Sequence, residues 1–212
     1  MSNYSVEALE INKTFGRRLI FNEVNFLFEE KGTFGISGPN GSGKSTLVKI
    51  IAGLISPTNG KIKHTNSNNE VIPEQLHNHI GFVSPYLVLY EEFSAWENLD
   101  YFARIRGVNF NEEGVNDLLK KFLLYNRKDD LVKTYSSGMK QRMKFIFALM
   151  HSPELLILDE PTSNLDKEGK NSVYNIVSEE AENSIVVIAS NEQGDLDLCD
   201  KIIDLEEYKT IQ

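Results

Sequence analysis

Nine residues, Gly38 to Thr46 (GPNGSGKST), constrain this chain more than any other stretch. They satisfy the spacing GxxxxGK[ST], with a short apolar run ending near Ser37 before them and a segment of helical period after them. Gly38, Gly41 and Gly43 let the backbone turn tightly and aim successive N–H groups inward with no Cβ in the way, forming an anion nest at a helix N-terminus. Pro39, Asn40, Ser42 and Thr46 complete the loop. Lys44 is then within reach of β- and γ-phosphates, and the Ser45 hydroxyl is a ligand for Mg²⁺. A glycine-rich turn with a chance Lys-Ser is the bland alternative, and the strand-to-helix context argues against it. The loop implies nucleotide binding; by itself it does not say which class of nucleotide-binding protein this is.

The rest of the chain reads as alternating short apolar runs and helical segments, the pattern of an α/β fold with a mainly parallel sheet. Buried strands are expected at Thr33 to Ser37, Ile80 to Val83, Leu155 to Asp159 and Ile185 to Ala189, with a late strand at Ile202 to Leu205. Helical faces are expected at Leu47, Ile50, Ile51 and Leu54, at Met139, Met143, Ile146 and Met150, and at Val173, Ile176 and Val177. Between Pro85 and Tyr135 the strand signals fade. There Ser94 and Glu97 form a capping box opening a helix with Trp96, Leu99, Phe102 and Ala103 inward, and a second helix follows around Val115, Leu118, Leu119 and Phe122. This stretch reads as a helical insertion. His64 to Asn69 (HTNSNN) reads as a surface loop after an Asn59-Gly60 turn.

The run LLILDE, Leu155 to Glu160, ends a buried strand in two adjacent acids, where a parallel sheet holds its ligand. Neighbouring strand residues face opposite ways, so the two acids are free to take different tasks. Asp159 is the natural partner of the Mg²⁺ that Ser45 begins to hold, and Glu160 is placed to accept or orient the proton of an attacking water. Acids that merely end a strand at solvent are the plain alternative, less apt beside a phosphate loop.

The 212 residues carry 31 acidic and 22 basic side chains, a net charge of −9, so no nucleic-acid partner is expected. The lone Cys199 excludes an internal disulfide and reads as a small buried side chain in a reducing compartment. Neither a signal peptide nor an apolar run long enough to cross a bilayer is recognised, so a membrane role is expected to come through a partner.

Between the phosphate loop and the carboxylates lies YSSGMKQR, Tyr135 to Arg142, followed by an amphipathic helix and then LLILDEPTSNLD. This order resembles the ABC ATPase family over essentially the whole chain: phosphate loop, signature motif, acid-tipped strand, and a D-loop at Ser163 to Asp166. The resemblance implies one domain with an α/β P-loop NTPase core at 1–84 and 136–212, an antiparallel N-terminal β region, and a helical subdomain at about 85–135. It implies ATP and Mg²⁺ as ligands, and a homodimer or paired ATPase subunit in which Ser136, Ser137 and Gly138 grip the triphosphate held by the opposite chain. It also implies a separate transmembrane permease, met near Tyr86, Leu87, Leu89, Tyr90 and Phe93 unless these are ordinary core residues, and a cytoplasmic location on the inner face of the cell membrane. Phe15 stands where the family carries a ring against adenine; a core Phe fits the same residue. Within the family the chain looks like the simple export-type or haem-exporter-like subunits.

Three departures from the family pattern bear on activity. Pro85 stands where a Gln usually helps hold Mg²⁺ and the attacking water; Asn191 stands where a switch His usually contacts the γ-phosphate; Ser137 replaces a common Gly. The loss of such donors slows turnover in other enzymes, while Glu160 argues for retained hydrolysis. A regulatory nucleotide-binding module with weak hydrolysis and a soluble ABC ATPase of translation are the alternatives carried forward.

Overall fold

The computed structural model describes residues 4–163 and 165–209. In chain order the elements are β1 (Tyr4–Phe15), β2 (Arg18–Phe28), β3 (Gly32–Ser37), α1 (Lys44–Ile51), β4 (Asn59–Asn66), β5 (Asn69–Glu70), α2 (Leu76–His79) and β6 (Ile80–Val83), followed by the helices α3 (Ala95–Arg106), α4 (Glu112–Lys121) and α5 (Ser137–Leu149), and then β7 (Leu155–Asp159), α6 (Lys167–Ala181), β8 (Ile185–Ala189), α7 (Gln193–Leu196) and β9 (Lys201–Asp204).

Five strands form a sheet in the order β6-β7-β8-β3-β9, every pairing parallel. Alternate residues of β7 feed opposite cores: Leu155 and Ile157 pack with α1 and the N-terminal strands, Leu156 and Leu158 with α5 and α6. Both faces are therefore covered, which is why these runs carry no polar alternation. Each of the four is fully buried, so truncating one to Ala costs about 2–5 kcal/mol. In register, Ala189 at the end of β8 sits between Ile36 of β3 and Asp159 of β7. The phosphate loop and the carboxylate pair thus leave the same sheet edge one strand apart.

The second sheet, β2-β1-β4-β5, is antiparallel and includes the N-terminal strands. Here the loop expected at His64 to Asn69 is overturned. His64, Thr65 and Asn66 belong to β4, and the turn falls at Ser67 and Asn68, both at positive φ, leading into β5. Asn59-Gly60 is likewise strand rather than turn, with Gly60 at φ 81 beside a register break in β1. Polar residues conceal the strand because, of all its positions, only His64 is buried; its ring bonds the Tyr4 hydroxyl and the Ile51 carbonyl, each at 2.9 Å.

Smaller differences have local causes. Leu54 lies beyond the end of α1 and is exposed, because α1 stops at Ile51 and the chain turns at Gly53. The last strand ends one residue earlier than expected, with Leu205 buried in the turn after it. The capping box at Ser94 is formed as written: Glu97 N–H donates to Ser94 Oγ at 3.1 Å and Ser94 N–H donates to Glu97 Oε2 at 2.8 Å. Leu99 and Ala103 are buried on that helix, Val115 and Leu119 on the next. Cys199 is half-buried, and burial pushes its thiol up to about 12, with Asp195 and Asp200 adding to the shift.

Candidate functional site

β3 delivers the chain to Gly38, and six residues later α1 begins at Lys44. Gly43 holds φ 111 with no room for a side chain: a Cβ would lie 2.5 Å from Ile20 and 3.0 Å from Phe21. Gly38 holds φ 138, and a Cβ there would lie 2.7 Å from the Ser42 hydroxyl. The loop is therefore pressed against β2, and the N-terminus of α1, with no side-chain cap from Gly43, opens on a cavity of about 780 Å³. Asn40, Gly41, Gly43, Lys44, Ser45 and Thr46 line it from the loop side. Ser42 turns inward instead, its hydroxyl buried without a hydrogen-bond partner. Its N–H donates to the Pro39 carbonyl at 3.0 Å, closing the turn.

The charged groups meet at the centre. Lys44 is buried; its ammonium donates to the Gly38 carbonyl at 2.8 Å and lies 3.5 Å from Glu160 Oε1. The Ser45 hydroxyl donates to Asp159 Oδ1 at 2.8 Å, while Asp159 Oδ2 is buried with no hydrogen-bond partner. Burial raises the proton affinity of Asp159 above the ordinary carboxylate range, opposed by the Ser45 bond and by Lys49 and Lys44. Burial raises Glu160 too, opposed by Lys44 and reinforced by the charges of Asp159 and Asp195. Glu160 also sits at φ 50, a left-handed conformation that an L-residue holds at a cost of about 1–3 kcal/mol, fixed here by its N–H donating to the Ala189 carbonyl at 2.9 Å.

From the far wall, the Asn191 amide donates to Asn40 Oδ1 at 3.2 Å, and Phe15 stands at the mouth, 53% exposed, with Lys13 4.8 Å from its ring centroid. The core alternative for Phe15 is thereby excluded. Pro85 and Tyr86 form another part of the wall. The sequence reading passed over the groups that hold this segment: the Lys144 ammonium donates to the carbonyls of Ser84 (3.2 Å) and Pro85 (2.9 Å), and Lys49 lies 5.2 Å from the Tyr86 ring centroid. Arg18, Ile20 and Glu192, likewise unmarked, also line the cavity.

Ser136, Ser137 and Gly138 are elsewhere. Ser136 caps α5, accepting from the Met139 N–H at 3.3 Å, and all three residues line a second cavity of about 520 Å³ with Leu165 and Asp166. Among the described residues the two cavities share none. Ser163 lines the first and Leu165 the second; Asn164 between them, part of the expected D-loop, lies outside the described residues.

Residues 21–163 match the ABC transporter family model. The chain belongs to the ABC transporter family. It is 32% identical over 200 residues to an uncharacterized ABC transporter ATP-binding protein, YdbJ of Bacillus subtilis (strain 168), covering 93% of this chain and 65% of that protein. With the lantibiotic transport ATP-binding protein SrtF of Streptococcus pyogenes it shares 37% identity over 182 residues, 85% of this chain and 77% of that one. This ABC chain spans 65% of the length of the first curated relatives it matches. The fold agrees with a putative ABC transporter ATP-binding protein from Pyrococcus furiosus (TM-score 0.81, 25% identity, 97% of this chain and 100% of that one). It agrees also with the dimeric structure of a bacterial ABC transporter cassette (TM-score 0.79, 25% identity, 94% of this chain and 93% of that one). Among the described residues of this ABC cassette, no helix is long and apolar enough to cross a membrane.

Proposed function

We propose that this chain is the ATP-binding and ATP-hydrolysing subunit of an ABC transporter, coupling ATP-driven dimer closure to a separate permease from the cytoplasmic face of the membrane. The observation that carries the reading is the convergence of Lys44, Ser45, Asp159 and Glu160 on one cavity at the end of α1. The loop N–H groups and Lys44 take the β- and γ-phosphates, Lys44 exchanging its contact with the Gly38 carbonyl for a phosphate oxygen. Phe15 offers its ring to adenine.

The orphaned buried oxygen of Asp159 and the Ser45 hydroxyl beside it fit Mg²⁺, a hard cation that takes few protein ligands and the rest from phosphate and water. When bound, the ion supplies charge neutralisation on the phosphate oxygens. Glu160, made more basic by burial, orients a water and takes its proton as the water oxygen bonds to the γ-phosphorus. The bond to the bridging oxygen breaks, giving ADP and phosphate. Asn191 donates a hydrogen bond to the γ-phosphate without carrying a positive charge.

The separateness of the signature cavity supports a head-to-tail dimer in which Ser136, Ser137 and Gly138 of a second copy approach the triphosphate, with the helix dipole and the Ser136 and Ser137 hydroxyls directed at it. Residues 85–135 are proposed as the subdomain that meets the permease. On its surface Tyr86, Tyr90 and Phe93 are exposed, whereas Leu89 is buried and belongs to the core. A relative named as a Nod factor export ATP-binding protein, 35% identical over 179 residues, favours export. A regulatory module with weak hydrolysis is the second reading, favoured by Pro85 and Asn191 in the cavity wall. ATPase turnover of the chain alone, with its permease, and as Glu160→Gln separates the two. The proposal expects turnover that rises with the permease and falls at least about a hundredfold in Glu160→Gln; equal rates for the variant and the wild type would remove Glu160 from the mechanism.

A further inference from the structure

Behind the wall that carries Asn191 lies a carboxylate that none of this chemistry uses. Asp195, in α7, is 1% exposed, and its two oxygens serve two different segments. Oδ1 accepts from the Thr162 hydroxyl at 2.8 Å, and Oδ2 accepts from the Ser190 hydroxyl at 2.7 Å. Thr162 is two residues past Glu160. Ser190 is the residue before Asn191, and its Oγ also accepts from the Glu192 N–H at 3.1 Å. Tyr174 of α6 brings its hydroxyl against the same carboxylate, and Gly194 makes the space for it, since a Cβ there would lie 2.6 Å from that oxygen.

A buried carboxylate is costly to fold unless it is paired, and among the described residues Asp195 forms no ion pair, only hydrogen bonds to hydroxyls. Its hydroxyl partners Thr162 and Ser190 are themselves fully buried, so the cluster is satisfied only as a whole. What the carboxylate adds is a rigid, two-armed link between the segment leaving β7 and the segment leaving β8, the two that carry Glu160 and Asn191 into the nucleotide cavity.

We propose that Asp195, through Thr162 and Ser190, is a positioning residue that holds Asn191 in fixed geometry relative to Glu160, so that both act on the same γ-phosphate. This rests on the ATPase reading above. It places the register of the switch segment in a buried hydroxyl–carboxylate clamp rather than in the wall residues themselves. It also identifies Thr162 and Ser190 as hydroxyls whose removal reaches the active site without touching ATP.

The test uses the full chain with four substitutions that keep or delete each arm: Thr162→Val and Ser190→Ala delete a donor, while Thr162→Ser and Ser190→Thr retain it. Thr162→Val and Ser190→Ala are each expected to lower kcat about tenfold with the KM for ATP changed less than about twofold, as misplacement of a catalytic group does. Thr162→Ser is expected to restore kcat to within about twofold. The decisive readout is the cycle with Asn191→Ala: if the clamp acts through Asn191, that substitution lowers kcat much less in the Thr162→Val background than in the wild type. Multiplying factors overturn the proposal, as does normal kcat in both deletion variants, or a kcat loss that Thr162→Ser fails to reverse. Should one deletion variant not fold, the other arm carries the same cycle. Failure of the ATPase reading looks different, because then Glu160→Gln leaves turnover unchanged whatever the clamp variants do.

Discussion

Acid should loosen the end of the helix that carries the phosphate loop, and the cause is one histidine. His64 on β4 is 4% exposed and its two nitrogens are both committed: Nδ1 meets the Tyr4 hydroxyl and Nε2 meets the carbonyl of Ile51, the last residue of α1. The neutral ring with its proton on Nε2 satisfies both, donating to Ile51, whose carbonyl the helix leaves free, and accepting from Tyr4. A second proton on Nδ1 turns that acceptor into a donor and puts a charge in the core. Burial accordingly lowers the His64 pKa from 6.5 to about 4, the Ile51 bond opposing it and His79 adding slightly. Between these values the unfolded chain binds a proton that the folded chain refuses, so stability rises with pH through the window. The contribution is present in full above the unfolded value of 6.5 and is lost as pH falls through about 4. At about 1.4 kcal/mol for each tenfold change in proton affinity it amounts to about 3 kcal/mol, of which about 2 kcal/mol is gone by pH 5. His151, also lowered to about 4, mainly by burial and secondly by Arg106, contributes in the same window, so the assay must isolate His64. Urea unfolding followed by the single tryptophan, Trp96, at pH 7 and pH 5 does so when wild type is compared with His64→Phe. The variant strands the Tyr4 hydroxyl and the Ile51 carbonyl and is expected to be less stable at pH 7, with the gap narrowing by about 2 kcal/mol at pH 5. A gap of the same size at both pH values, or a His64 resonance titrating above pH 6, refutes the reasoning.

Three further outcomes are expected at the nucleotide cavity. Ser45→Ala removes the donor 2.8 Å from Asp159 and should abolish the Mg²⁺-dependent part of ATP affinity in calorimetry; affinity that still responds to Mg²⁺ would take Ser45 out of the metal site. Phe15→Ala should raise the Kd for ATP about two- to tenfold, the size of a single stacking contact worth about 0.5–1.5 kcal/mol, and leave the maximal rate alone. Asn191→His returns a chargeable donor to the cavity wall and should raise turnover about tenfold, while an unchanged rate would mean that position 191 makes no contact that matters in the transition state.

How much of this was legible in the sequence depended on whether the signal was local. The runs Ile80 to Val83, Leu155 to Asp159 and Ile185 to Ala189 are strands at the positions read, because a strand covered on both faces is apolar throughout and needs no partner to be recognised. The capping box at Ser94 and Glu97 is likewise complete within four residues. β4 was missed because its one buried residue is a histidine, so burial left no apolar alternation to read. Phe15 was ambiguous for the opposite reason: an aromatic residue near the end of a strand says nothing about which side its ring faces until β2 is in place beside it. Lys144, 59 residues from Pro85, and Asp195, 33 residues from Thr162, could not be assigned at all, since what they do is defined by the segments the sheet brings to them.

The proposed head-to-tail dimer follows from the arrangement of the two cavities. The first holds a buried lysine, a hydroxyl and two carboxylates around the end of α1; the second holds the end of α5 with the hydroxyls of Ser136 and Ser137. Both are helix N-termini suited to phosphate, yet among the described residues they have no lining residue in common. Under the proposed mechanism the missing half is another chain's α5, and the two halves are linked inside each chain by short contacts. Gln141 on α5 donates to the Pro161 carbonyl at 3.0 Å, Thr162 reaches Asp195, and Ser163 then lines the first cavity while Leu165 lines the second. A displacement of the second cavity by an arriving triphosphate would therefore be felt within two residues of Glu160, and the same contacts would return the loss of the γ-phosphate to the dimer interface. Gln141→Ala tests that link: closure on ATP should persist, while hydrolysis at one site should no longer depend on occupancy of the other, and rates that still rise with double occupancy would show that the coupling runs by another route.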